Sequence, residues 1–557
     1  MIEVMKTHIN WSVKGLQQVG AFFAVLLVLS GCGTAPKTFD ELVKGDLALT
    51  LNPYERSPLG ALTSFTTTEP VAVSLEIAGD ISISKTFDTY NTIHSVPILG
   101  LYPNKLNSVK LTLTTEAGAS VTKDFSIQTA PLPDFLPSIN ITKLEKNKME
   151  EGLHLIEMLV ANNGKFHSYT MMFDDNGAVR WYMDMSSTGQ ITYSALRNKR
   201  GNWLYLDWDD IYELDDLGRQ VSKKQMTSFA GNHHVMEADN GNLLMGGTRK
   251  GADVVRADGR RVVTRFDHVL EWDLAANQPV NYWDIGEYLD IDRIVFNPGY
   301  SLDFMADWFH LNGIAKDPKD GSIIASGRSQ GVVKMGADKS LKWIMAPHAR
   351  WGRAGRTGQG NPTEPFLLTA LDSEGKPLPE NVQFGIESTD DFSWNTGQHS
   401  MNILPNGNLL IFDNGMSRDF AEKPTYSRAV EYKIDDEKRT IQQVWQYGKE
   451  RGLEMFSPIT SDVDVLANGN RLITSGNIRL SDEPAHAKLI EITYPKNEVV
   501  FEAEIYFKDA KGTGEQAWAQ FDLVYRGQRY NLYDDGQGKE IATSSKSTIS
   551  AQALHQY

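Results

Sequence analysis

The chain has 557 residues, 41% hydrophobic and 23% charged. That composition excludes a collagen-like, mostly disordered or multi-span membrane protein. With 55 Lys and Arg against 71 Asp and Glu the formal charge is −16, and without a long basic run nucleic acid is a poor partner.

Residues 1–31 read as an export signal. Lys6 and Lys14 precede an apolar run at 21–29 that is too short to span a bilayer comfortably. The run ends in Leu29-Ser30-Gly31-Cys32, which resembles a bacterial lipobox. This predicts lipidation at Cys32 and a lipid-anchored location on the periplasmic side of the envelope. Gly33 in the next position favours the outer membrane. The alternative is a plain signal peptide that happens to contain a cysteine. Cys32 is the only cysteine, so neither an internal disulfide nor a multi-thiolate metal site is available.

Residues 32–130 carry short alternating segments such as Val71-Ala72-Val73-Ser74-Leu75 and Val109-Lys110-Leu111-Thr112-Leu113. Period-two alternation predicts half-buried strands and a small N-terminal β-sandwich. Three prolines, Pro131, Pro133 and Pro137, mark a stiff linker over 131–140.

Residues 141–557 contain a loose repeat: an apolar strand, an Asn-Gly-Asn turn and a second apolar strand, centred on Gly241, Gly407 and Gly469. Asn-Gly suits the positive backbone angles of a tight hairpin. Six units, near 153–184, 190–226, 233–285, 310–346, 399–447 and 462–507, each have room for about four strands. The expected fold is therefore all-β, a six-bladed β-propeller preceded by the sandwich. The tail over 525–533 is a candidate strand for closing the ring, and the chain from about Gly538 reads as polar and frayed.

Inner strands of propeller blades line a shared channel, and three units open with histidine. His233 and His399 each lie seven residues before the Asn of their turn. His310 opens the fourth unit ahead of a longer spacer. Convergent histidines fit a metal site, or a nucleophile with a proton carrier. Carboxylate and thiolate partners at ligand spacing are lacking, although Asp307 and Asp413 lie nearby in sequence. Asn312 shares a strand face with His310, and Arg328 falls at the end of the following strand. Together they would form a cationic pocket for an oxyanion, suited to group transfer on a sulfate or phosphate ester. No cofactor and no metal is expected.

The segments Asp307-Trp308-Phe309-His310-Leu311-Asn312, Ser326-Gly327-Arg328-Ser329-Gln330-Gly331, Gly397-Gln398-His399 and Trp445-Gln446-Tyr447-Gly448-Lys449-Glu450 resemble the bacterial arylsulfate sulfotransferase family. Leu99-Gly100-Leu101-Tyr102-Pro103 in the small domain is similar too. The resemblance implies a periplasmic, usually dimeric propeller that moves a sulfuryl group from an aryl sulfate donor to an acceptor phenol without a nucleotide donor. It further implies His399 as a transiently sulfated nucleophile. His310, Asn312 and Arg328 would bind the sulfuryl oxygens, with a further histidine at His233 or His234. It also implies Tyr102 as a substrate contact. A disulfide seen in some members has no counterpart here.

Trp308, Phe309 and Trp394 are candidate ring-stacking residues, although blade packing is the simpler role for most of them. Two rivals remain at this stage: an aryl sulfate hydrolase using the same nucleophile, and a non-catalytic propeller scaffold of the envelope. A quinone-dependent dehydrogenase is disfavoured, because the units lack a regular Trp-docking repeat.

Overall fold

The computed structural model describes residues 37–533, apart from 163–164, 190, 256–258, 260, 294–304, 422–424, 480–484 and 509–521. Residues 1–36, with the predicted export signal and Cys32, and the tail beyond 533 lie outside the described residues. Among the described residues no helix is long and apolar enough to cross a membrane.

The N-terminal domain is a five-stranded antiparallel sheet. Two long strands, Gly60–Ile77 and Ile83–Leu99, pair along their length with register shifts near Val71. Ala48–Leu51 pairs with the early half of the first, and Leu106–Thr115 with its later half. The burial alternation along Leu106–Thr115 is strict, because one face is packed and the other wet. Phe65, Val71, Phe87, Val96 and Leu111, drawn from both halves, share one core, so the sheet folds over itself.

The proline segment is docked rather than a free spacer. Leu136 is buried, and Leu132 and Phe135 pack on the same propeller core. Strand structure resumes at Ser138–Leu144, inside the 131–140 span predicted as linker.

Beyond it, six sheets of at least four antiparallel strands occur among the described residues, near the positions the repeat predicts, one of them with an added parallel strand, Thr369–Leu371. Blades two to six run over 192–225, 229–284, 311–345, 399–447 and 462–506. Their strands hydrogen-bond in sequence order, apart from the small 253–255/261–264 hairpin inserted in blade three. Blade one supplies three strands, Leu153–Asn162, Lys165–Phe173 and Val179–Asp184, and takes its innermost strand from Leu523–Tyr530. Ser138–Leu144 adds an outer strand to blade six. Strands from opposite regions of the chain thus close the ring through backbone hydrogen bonds. The inner strands lie side by side from blade two through blade six to the closing strand of blade one.

The Asn-Gly-Asn turns are the tight hairpins expected, each closed by hydrogen bonds such as Gly241 amide to Ala238 carbonyl. Only the glycines are left-handed, with φ +81°, +85° and +89° at Gly241, Gly407 and Gly469. The first Asn caps the turn, as where Asn406 Oδ1 accepts from the Asn408 amide at 3.0 Å. The second reaches a glutamate on the third strand: Asn242 to Glu271 (2.8 Å), Asn408 to Glu431 (2.6 Å) and Asn470 to Glu491 (2.7 Å). Blade four inverts the polarity. Buried Lys334 occupies the glutamate position and pairs with Asp317 at 2.6 Å and Asp436 at 2.7 Å. The acidic cluster of Asp317, Asp320 and Asp436 is therefore filled by an ammonium.

Candidate active site

The inner strands bend where they enter the channel. His233 and His234 form a bulge between Asn232 and Val235, and Ser400 forms one between His399 and Met401. Asn312 is the bulge residue of blade four, and His310 sits just ahead of the first rung, Leu311. The three histidines thus occupy different rungs rather than equivalent repeat positions. Ser194, His233, His310, Ser400 and Ser461 have φ of +52°, +47°, +57°, +51° and +86°. Such residues cost about 1–3 kcal/mol each and concentrate at functional sites, because the surrounding fold over-determines them.

These bends bring the histidines together. The His233 and His310 rings lie 4.7 Å apart between centroids. His399 and Arg328 act electrostatically on His233, and Arg328 and His310 act on His399. Arg328 Nη2 lies 3.3 Å from His310 Nδ1, and the Arg328 amide donates to the His310 carbonyl at 3.1 Å.

His399 is held in one tautomer. Its Nδ1 faces Asn414 Oδ1 at 2.8 Å and the Gly397 carbonyl at 3.1 Å, both acceptors once the Asn414 amide nitrogen has donated to Ser457 and Thr460 carbonyls. Nδ1 therefore carries the proton. Nε2 presents its lone pair, with the Thr460 amide 3.3 Å away. Burial first, and Arg328 second, push the imidazole down to about 3. His399 is neutral at physiological pH, as a nitrogen nucleophile must be.

His310 Nδ1 lies 2.5 Å from Asp307 Oδ2. Burial and Arg328 push His310 down while Asp307 opposes them. The carboxylate fixes the ring and would stabilise an imidazolium formed during reaction. Asn312 donates its amide nitrogen to the Gln398 carbonyl at 2.7 Å, leaving Oδ1 without a partner.

A buried network supports His399. Gln398 Nε2 donates to Gly327 (2.9 Å) and Gly331 (3.2 Å) carbonyls, tying blade five to blade four. Gly331 has φ +135°, and a Cβ there would lie 2.6 Å from the Met345 carbonyl, so only glycine fits. Asp413 accepts from the Thr396 and Gly415 amides and pairs with Arg418 (2.8 Å) and Arg428 (2.9 Å). Burial would raise its carboxyl, but the two guanidiniums hold it low. Asp413 thereby ties the Thr396–His399 approach to the strand end that delivers Asn414.

His233 and His234 have different surroundings. His233 stacks on Tyr525 at 5.8 Å, accepts or donates a 3.2 Å hydrogen bond with its hydroxyl, and meets His310. His234 lines the adjoining cavity with Arg526, and burial pushes it down to about 3. Phe266 packs against His233 at 5.2 Å and His310 at 5.3 Å.

Tyr102 is not part of this cluster. Its ring lies 3.8 Å beneath the buried Arg180 guanidinium, which also binds the Gly100 and Ile81 carbonyls. Tyr102 therefore joins the small domain to the propeller, apart from the histidine cluster of this chain. Trp308, Phe309 and Trp394 are blade core, with the Trp308 indole donating to Asp267 and that of Trp394 to the Val382 carbonyl.

A family description, arylsulfotransferase (ASST), matches residues 138–514, and an arylsulfotransferase Ig-like domain matches 48–130. The chain belongs to the arylsulfotransferase family. It is 30% identical to arylsulfate sulfotransferase AssT of Escherichia coli O6:H1 (strain CFT073), covering 87% of this chain and 95% of that protein. Identity to AssT of Lelliottia amnigena is 28%, covering 82% and 90%. Among solved structures, a Bacteroides caccae protein of unknown function matches at a TM-score of 0.36 and 12% identity, over 68% of this chain and 98% of that one. The family membership makes the chain an aryl-sulfate sulfotransferase with an aryl sulfate donor and a phenolic acceptor.

Asn414, Asp307, Asp413 and Tyr525 are the parts of the site that residue patterns alone did not assign. Asp307 lay within the family-like segment, whereas Asn414 and Tyr525 are distant in sequence from the residues they touch.

Proposed function

We propose that sulfuryl transfer proceeds by a ping-pong route through a sulfohistidine on His399. The observation that carries this reading is the fixed tautomer of His399, a neutral ring protonated at Nδ1, with Arg328 and His310 among the groups that act on it. In the first half-reaction Nε2 attacks sulfur, an N–S bond forms and the S–O bond to the aryl group breaks. The charge on the sulfuryl oxygens and leaving oxygen rises, and Arg328 and the Thr460 amide are placed to meet it. As the anionic ester binds beside Arg328, His310 takes up a proton from solvent, and the departing phenolate takes that proton from His310. In the second half-reaction the acceptor phenol returns a proton to His310 as its oxygen attacks sulfur, and His399 is restored. Phe266 and Tyr525, flanking the histidines, supply contact for the aryl ring.

The test is mass spectrometry after mixing with an aryl sulfate and no acceptor, kept at neutral or alkaline pH. One SO3 on the peptide bearing His399, discharged by phenol, is expected. Phenol release at the turnover rate without an adduct would replace this route by hydrolysis or direct transfer. We also propose export and lipidation at Cys32, on the strength of the Leu29-Ser30-Gly31-Cys32 motif. Labelled fatty acid should enter the wild type and not Cys32→Ala.

A further inference from the structure

Next to His399 the channel widens into a cavity of about 90 Å³. It is lined by oxygen-bearing side chains of three neighbouring inner strands. Asp462 and Asp464, two residues apart on Asp462–Val465, share a face. Asn402 comes from blade five and Gln528 from blade one's closing strand. Their charged neighbour, Arg526, is ion-paired with Glu157 at 3.3 Å and donates to Ser194 and the His233 carbonyl. Three carboxylates therefore share one guanidinium.

Two amide oxygens in the lining are unpartnered, and their orientation is fixed. Asn312 is 2% exposed; its nitrogen donates to the Gln398 carbonyl, so Oδ1 is the free end. The Gln528 amide donates to Asp464, which leaves its Oε1 without a partner. A buried acceptor with no donor is costly, and an unneutralised carboxylate pair more so.

We propose that this cavity binds one calcium ion, held by Asp462, Asp464 and the free oxygens of Asn312 and Gln528. Carboxylate and amide oxygens are the donors a hard cation takes, and calcium tolerates an irregular set of them with waters completing its shell. The cavity has room for the ion and about two waters, at about 30 Å³ each. The ion would brace blades four, six and one across the channel, beside the closing strand Leu523–Tyr530 that joins the ring by backbone hydrogen bonds.

The experiment uses the full protein stripped with chelator, then titrated with calcium. The wild type should retain one calcium per chain by elemental analysis after equilibrium dialysis at about 1 mM, the weak end of protein sites. Its Tm should rise with calcium concentration. Asp464→Asn should abolish both effects, and Asp436→Asn, in the lysine-filled rim cluster, should change neither. No retained calcium and no Tm response in the wild type would overturn the proposal. So would full binding by both Asp462→Asn and Asp464→Asn. Because the readout is binding rather than turnover, the outcome is independent of the sulfohistidine route.

Discussion

Two stretches of one channel show how the same strand ends serve opposite chemistry. In blades three to five the inner strands present His233, His310 and His399 beside Arg328. In blades six and one they present Asp462 and Asp464, with Glu157 behind Arg526. Both stretches are buried, and burial disfavours charge in each. For the histidines that means neutral rings, with His234 and His399 pushed down to about 3. For the acids it means retained protons, with Asp464 pushed up to about 8 and Glu157 to about 7. Desolvation makes nucleophiles of the imidazoles and makes the carboxylates want a cation or a proton.

The largest blow to the histidine side is His399→Ala. Both half-reactions should fall by about 10⁴-fold or more, as nucleophile removal does elsewhere, read as turnover of a chromogenic aryl sulfate with added phenol. Arg328→Ala comes next. Loss of a well-placed donor to developing charge costs about 3–4 kcal/mol, roughly a hundredfold or more in kcat. Near-wild-type turnover would remove Arg328 from the transition state.

A smaller change sharpens the contrast in charge. Asn414→Asp sets a carboxylate against His399 Nδ1, which favours the protonated ring. The acid limb of kcat/KM for the donor should move to higher pH, while Asn414→Leu should lower kcat without that displacement. An unmoved limb in Asn414→Asp would show that another group governs it.

The smallest expected effect concerns stability, measured in chelator. Asp464 holds a proton to about pH 8 when folded but loses it near pH 4 when unfolded. Between those values the folded state binds more protons, so its contribution to stability falls as pH rises. Asp464→Asn removes that loss and should raise Tm at pH 9 while changing little at pH 4. The buried histidines run the other way. Unfolded rings take protons near pH 6.5, so their share of stability is complete above that pH and declines as pH falls toward 3.

Much of this was legible in the sequence because each feature is written locally. Alternation at 71–77 and 109–114 marks half-buried strands, and the Asn-Gly-Asn turns mark the blades. The histidine, asparagine and arginine of blade four sit within twenty residues of one another. What was not legible depends on contacts made across the ring. Asn414 reaches His399 only because Asp413, clamped by Arg418 and Arg428, positions both strand ends. The packing of Tyr102 was not legible because its motif carries the residue type without showing that Arg180, 78 residues later, covers its ring. The glutamates that meet the turns, Glu271, Glu431 and Glu491, were visible as letters, but their partnership needs the third strand to fold back.

The closing strand of blade one has a consequence for biosynthesis. Leu523–Tyr530 both seals the ring and delivers Tyr525 and Arg526 to the channel. A nascent chain arrested before that segment holds His233, His310, Arg328 and His399 but no finished channel to keep them apart from water. Closing of the ring and completion of the histidine site are thus one event, and the chain stays chemically silent until the ring is shut.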